Sequence, residues 1–111
     1  MLRRVVLLTV LSLAAWIPGE SQNKTRPVTG LVTDKRGNTL PGSVVQLENT
    51  FDLTVRSFIT GQDGRYHFNG LSDDVDFKLR AKYRNYWSDT KILSKFDGST
   101  HPELNLVIPV E

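Results

Sequence analysis

The chain has no cysteine among its 111 residues, one methionine and two histidines. No disulfide can brace the fold, no thiolate can act as nucleophile or metal ligand, and no cysteine is available for a lipid anchor. His67 and His101 have no recognisable catalytic partner beside them, which leaves thin material for nucleophilic or acid-base chemistry. Long hydrophobic runs are also missing. The longest mostly apolar stretch, Val5 to Ile17, would reach roughly 20 Å as a helix, against a hydrocarbon core of roughly 30 Å. Nor does charge of one sign dominate, since 14 basic and 12 acidic residues leave a net charge of +2.

Even that small excess belongs to the amino end. Arg3 and Arg4 precede the apolar run, which closes on Pro18 and Gly19, and together these read as a secretory signal peptide over residues 1–21. Cleavage is expected after Gly19 or Ser21; a buried strand or helix at the amino end is the alternative. Removing Arg3 and Arg4 takes the basic count from 14 to 12, and the later cut also removes Glu20, taking the acidic count from 12 to 11. A nearly neutral mature chain gives no electrostatic case for nucleic acid. The expected location is secreted or periplasmic, with no transmembrane anchor after leader removal. Residues 22–26 are polar and aperiodic and read as a short flexible tether, in which Asn23-Lys24-Thr25 formally matches a glycosylation acceptor. Residues 27–111 remain as one domain, which at this size buries roughly 60 to 65% of its extended surface, enough for a single core.

What the chain does contain is alternation cut by turn chemistry. In Thr29 to Val45 and Asp63 to Leu71, β-branched or aromatic residues alternate with polar ones and are broken by Asp-x-x-Gly, Pro-Gly and Asp-Gly. Seven short strands are predicted, near residues 28–33, 43–49, 53–60, 65–69, 75–83, 86–93 and 104–110, with no convincing helix, internal repeat or low-complexity tract. Short strands separated by turns indicate a sandwich rather than βαβ units. The inner face is expected to hold Val28, Gly30, Val32, Val45, Leu47, Tyr66, Phe68, Phe77, Leu79, Ala81, Tyr83, Leu104, Leu106 and Ile108. Residues 53–60 are ambiguous, because Val55 and Ile59 share one face while Phe58 takes the other. Arg84-Asn85 can be a two-residue turn that sets Tyr83 against Tyr86 on the inner face. That register puts Lys82 across from Trp87 as a cation-π contact, and Arg80 across from Asp89 as an ion pair, on the outer face.

The residues Gly30-x-Val32-x-Asp34-x-x-Gly37-x-x-Leu40-Pro41-Gly42-x-x-Val45 and Asp63-Gly64-Arg65-Tyr66-x-Phe68-x-Gly70-Leu71 resemble the carboxypeptidase regulatory-like domain. Phe77-x-Leu79-x-Ala81 followed by Asn85-Tyr86 is similar to the family's later strand, with Asn85 where Gly is usual and expected to take the left-handed geometry that Asn enters more readily than most residues. The resemblance implies a transthyretin-like, seven-stranded antiparallel Greek-key sandwich with a binding, folding or structural role and no catalysis of its own. No His-x-x-Glu zinc stretch is present, so peptidase activity is not inherited. A hydroxyisourate-hydrolase-like enzyme is a remote alternative for this fold, but its relatives end in Tyr-Arg-Gly-Ser and this chain ends Ile108-Pro109-Val110-Glu111.

Three surface features are candidates for contact. Trp87, with Tyr83, Asn85, Tyr86 and Lys82 around the hairpin, forms a possible stacking platform for sugar rings; the structural reading puts both tyrosines in the core and Trp87 beneath Lys82. Lys78, Arg80, Lys82 and Arg84 alternate along one strand and, with Arg65 and His67 from another, make a basic face suited to an acidic glycan or lipid headgroup, or a solvated face that blunts edge pairing. Asp73, Asp74 and Asp76 crowd one turn and offer oxygen ligands for calcium, or form a solvated acidic turn. The chain is therefore expected to be an exported, non-enzymatic sandwich without a cofactor. Its partner would be a protein or glycan outside the cytoplasm, with edge-strand self-association possible and a small carbohydrate-binding module as the alternative function.

Overall fold

The computed structural model describes residues 24–110, so the leader at 1–21 and the start of the tether, Gln22 and Asn23, lie outside the described residues. No helix occurs among the described residues, and none is long and apolar enough to cross a membrane. The described residues form eight strands: β1 (Thr25–Thr33), β2 (Val44–Asn49), β3 (Val55–Ile59), β4 (Arg65–Ser72), β5 (Phe77–Tyr83), β6 (Tyr86–Trp87), β7 (Lys91–Leu93) and β8 (Leu106–Val107). They make two sheets, one ordered β4-β1-β8 and the other β3-β2-β5-β6 with β7 also on β5.

Three expectations are corrected here. Thr25 and Arg26 are not tether: they open β1 and pair with Ser72 and Leu71 of β4. The sheets are not wholly antiparallel, since β8 runs parallel to β1, Val32 opposite Leu106 and Thr33 opposite Val107. Finally, the predicted strand at 86–93 is two. Ser88 stands opposite Ala81 and Lys91 opposite Leu79, so Asp89 and Thr90 both face Arg80, a bulge of one extra residue.

The turns explain the spacing that marks the sequence. The Asp34 carboxylate accepts the backbone N–H groups of Arg36 and Asn38, each at 2.9 Å, and Asp63 accepts that of Arg65 at 3.0 Å. Gly64 follows with φ of 72°, the left-handed geometry that Asp-Gly turns need. A buried polar knot ties the next corner. Ser43 and Thr60 both donate their hydroxyls to the Leu40 carbonyl, at 2.9 and 2.8 Å, while the Ser43 N–H donates to the Thr60 hydroxyl.

Apolar side chains from both sheets meet between the layers, and the buried set contains the alternating residues of β1, β2, β4, β5 and β8 together with Leu40, Leu71, Leu93 and Val110. Phe58, Tyr83 and Leu104 pack against it from the margin. Phe58 resolves the ambiguity in β3 by turning inward, its ring 6.1 Å from that of Phe68, while Val55 and Ile59 face solvent. Gly30 is a packing requirement, because a Cβ there would overlap the Leu104 carbonyl and the Tyr66 ring. That contact lets the Tyr66 hydroxyl reach the Leu104 carbonyl at 2.5 Å. Burial, reinforced by the negative charge of Glu103, pushes the Tyr66 phenol well above its ordinary value of 10.0.

Candidate functional site

The outer face of the larger sheet is built from alternate residues of β3, β2 and β5. Cross-strand register arranges them in rows: Ile59, Val44, Lys82 and Trp87; then Ser57, Gln46 and Arg80; then Val55, Glu48, Lys78 and Ile92. Inward neighbours Val45, Leu47, Leu79 and Ala81 are fully buried, so the strands carrying this face are fixed from beneath. A cavity of about 420 Å³, open to solvent, is lined by Gln46, Glu48, Val55, Lys78, Arg80 and Thr90.

Trp87, on the same sheet face, is the aromatic centre of a cationic pair that includes Arg80 of the cavity lining. The Arg80 guanidinium lies 3.9 Å from the indole centroid, and the Lys82 ammonium 5.4 Å. The predicted Lys82–Trp87 contact is present. The tighter one, from Arg80, was expected to be an ion pair with Asp89 instead. The bulge changes that geometry by setting two residues opposite Arg80, and the delocalised guanidinium stacks on the ring. The same bulge brings Thr90 to the cavity wall.

The other predicted residues divide. Lys78, Arg80 and Lys82 share this face, but Arg65 and His67 belong to β4 in the other sheet, opposite Leu31 and Thr29. A single basic face uniting them with β5 does not exist. The His67 ring rests 4.9 Å from that of Phe58, and His101 lies exposed with the Thr100 hydroxyl 3.2 Å from Nδ1. Arg84 sits in the hairpin turn with φ of 57° and leans over Tyr83 at 5.1 Å. Left-handed geometry therefore falls on Arg84 and not on Asn85, the residue expected to take it.

The stacking platform is likewise not one surface. Tyr83 packs against the core, its partner Tyr86 is 47% exposed, and both alternate with Lys82 and Trp87 onto the opposite side of the hairpin. Nor do Asp73, Asp74 and Asp76 converge. Asp76 is drawn aside, its carboxylate accepting the Lys95 N–H at 2.6 Å and its carbonyl accepting from Thr50, while the backbone N–H of Asp74 turns to the Ser72 hydroxyl. Among the described residues no group of three or more His, Cys, Asp or Glu is placed to hold a metal ion.

A family model for the carboxypeptidase regulatory-like domain matches residues 27–107. The chain belongs to that family. The Asp34-x-x-Gly37 and Asp63-Gly64 motifs of this carboxypeptidase regulatory-like domain serve as turn caps and do not line the outer-face cavity. No curated protein matches the chain by sequence. Among solved structures, wild-type catechol 1,2-dioxygenase of Acinetobacter radioresistens is similar over 81% of this chain and 53% of its own, with 15% identity and a TM-score of 0.59. The dioxygenase domain of a dioxygenase carbohydrate-binding protein fusion from Streptomyces sp. SirexAA-E is similar over 86% of both chains, with 15% identity and a TM-score of 0.59. The pilus 2b backbone protein of group B streptococcus is similar over 77% of this chain and 42% of its own, with 17% identity and a TM-score of 0.54. The carboxypeptidase regulatory-like domain thus spans about half the length of the catechol dioxygenase it matches. At these identities the likeness is one of fold.

Sequence reading missed Gln46, Glu48, Val55 and Thr90. The first three carry a readable signal as the residues alternating with the inward Val45, Leu47 and Phe58. Their convergence with Lys78 and Arg80 depends on the β2–β5 register, and Thr90 on the bulge, neither of which has a local sequence signature.

Proposed function

We propose that this protein is an exported, non-catalytic binding module whose working surface is the outer face of the larger sheet. One observation carries the reading: two cations, a carboxylate and an amide from two strands and a hydroxyl from the bulge converge on a single open cavity. Such a mixture recognises a ligand, whereas a nucleophile-base-orienter set would be needed for turnover. The charged flank and apolar run before Pro18 support export. The second reading, a carbohydrate-binding module, moves from the hairpin tip to this cavity, because Trp87 and Lys82 share its sheet face, with Arg80 of the lining stacked on Trp87, and the tyrosines do not.

The absence of cysteine makes a direct test possible in cells that produce the protein. Ser57→Cys places a thiol on the proposed surface, and Thr29→Cys places one on the exposed side of the other sheet. A membrane-impermeant maleimide should label Thr29→Cys on the full chain after outer-envelope permeabilisation, with Ser57→Cys protected until the protein is purified. Labelling that requires cell lysis would refute export; equal labelling of both positions would refute the surface.

A further inference from the structure

We infer that the outer-face cavity takes an acidic saccharide, a sugar ring bearing a carboxylate, through Lys78 and Arg80; this rests on the proposed binding surface. A sugar hydroxyl is both donor and acceptor, so a saccharide site must offer both kinds of group around a small apolar patch. The lining provides them. Gln46 and Thr90 donate and accept, Glu48 accepts, and Val55 supplies the apolar contact. Lys78 and Arg80 against Glu48 leave one excess positive charge, which selects a ligand with a carboxylate over its neutral counterpart.

The cation best placed for that carboxylate is already oriented. Stacking 3.9 Å over Trp87 restricts the rotamers of Arg80, so little side-chain freedom remains to be lost on binding. Glu48 and Gln46 project from β2, whose inward neighbours are buried, and each stands directly opposite its cationic partner, Lys78 or Arg80. The cavity, at about 420 Å³, falls within the roughly 300 to 1,000 Å³ of small-molecule sites. Other anions are served less well. A phosphate or lipid headgroup has no use for Glu48, which repels it. Single-stranded nucleic acid needs a free aromatic face, and that of Trp87 is taken up by Arg80 and Lys82.

The full chain carrying Trp16→Phe leaves Trp87 as its sole indole, so fluorescence reports on the cavity through Arg80, which lines it and stacks on that ring. Titration with a trigalacturonate should give a saturable change, at least tenfold tighter than with its methyl ester and weakening as salt is raised. Arg80→Gln and Lys78→Gln should each lower affinity tenfold or more while circular dichroism and melting temperature show a folded sandwich. His67→Gln, on the other sheet, should leave affinity unchanged. Equal affinity for acid and ester, saturation by inorganic sulfate at the same concentration, or no saturable change would overturn the assignment. If Ser57→Cys is nonetheless protected in cells, the binding surface stands and only the saccharide class falls.

Discussion

The backbone N–H of Ala81 donates to the side-chain hydroxyl of Ser88, at 2.9 Å, where a regular ladder would offer the Ser88 carbonyl. The Ser88 N–H still donates to the Ala81 carbonyl at 2.8 Å, and its hydroxyl passes a hydrogen bond on to the Asp89 carbonyl at 2.9 Å. One serine thus closes the ladder on one side of the bulge and satisfies a buried donor that the bulge would otherwise orphan. Ser88→Ala leaves that donor without its partner, at a cost of about 1 to 3 kcal/mol. Denaturant unfolding should report a lower midpoint, and amide exchange at Ala81 should quicken more than at Leu79.

Arg84 occupies a left-handed position that glycine takes without strain. Arg84→Gly should stabilise the hairpin by up to about 1 kcal/mol, less whatever the contact over Tyr83 contributes. A melting temperature that falls would show that the side-chain contact outweighs the backbone strain.

Arg26 is buried, and its terminal nitrogens donate to the carbonyls of Ser94 and Asp97, at 3.0 and 3.3 Å. Its Nε has no partner among the described residues. Arg26→Met deprives both carbonyls and should cost about 1 to 2 kcal/mol, partly offset by removal of the orphan donor. Hydrogen exchange should rise over residues 94–100 before it rises in β2 or β5.

Tyr66 sets an alkaline limit. Its phenol ionises less readily folded than unfolded, so its contribution is complete below pH 10 and is lost as pH rises above that value, at about 1.4 kcal/mol per pH unit. Tyr66→Phe should be less stable at neutral pH and should lack this alkaline slope. Urea melts at pH 8 through 11 distinguish the two.

Asp34 and Asp52 set an acid limit of opposite sign. For Asp34, desolvation raises the carboxyl but is outweighed by the sum of the hydrogen bonds from Asn38 and Arg36 and the Arg36 charge; for Asp52, hydrogen bonds from Thr54 lower it. Both are held below the ordinary 3.8, so their contribution is present above that value and is lost as pH falls below it. Asp34→Asn should flatten the acid limb of the stability curve.

Period-2 alternation made the sandwich legible, because burial on one side of a strand forces it: Val28 and Val32, Leu79 and Ala81, Leu106 and Ile108 all face inward as their spacing requires. Leu93 carries no such signal, being the lone buried residue of the short β7, whereas Val110 extends the alternation of Leu106 and Ile108. Arg26 was read as tether because an isolated charged residue carries no trace of the carbonyls that will surround it. The candidate site was half legible. Lys78, Arg80, Lys82 and Trp87 follow from one hairpin turn and local register, whereas Gln46 and Glu48 come from a strand about thirty residues earlier, brought alongside only by the tertiary fold. The pairing of Arg80 with Asp89 failed for a local reason, since a one-residue bulge needs no glycine and leaves no mark beyond an ordinary serine.

The parallel pairing of β1 with β8 places the start of the first strand and the end of the last at opposite poles of the sandwich. Tension applied through the two would drag these strands along each other, straining the bonds of Thr29 to Pro102 and Leu104 and of Thr33 to Ile108 together instead of peeling them one by one. Such loading resists extension, so single-molecule stretching from those poles should meet a higher rupture force than stretching across β3 and β6.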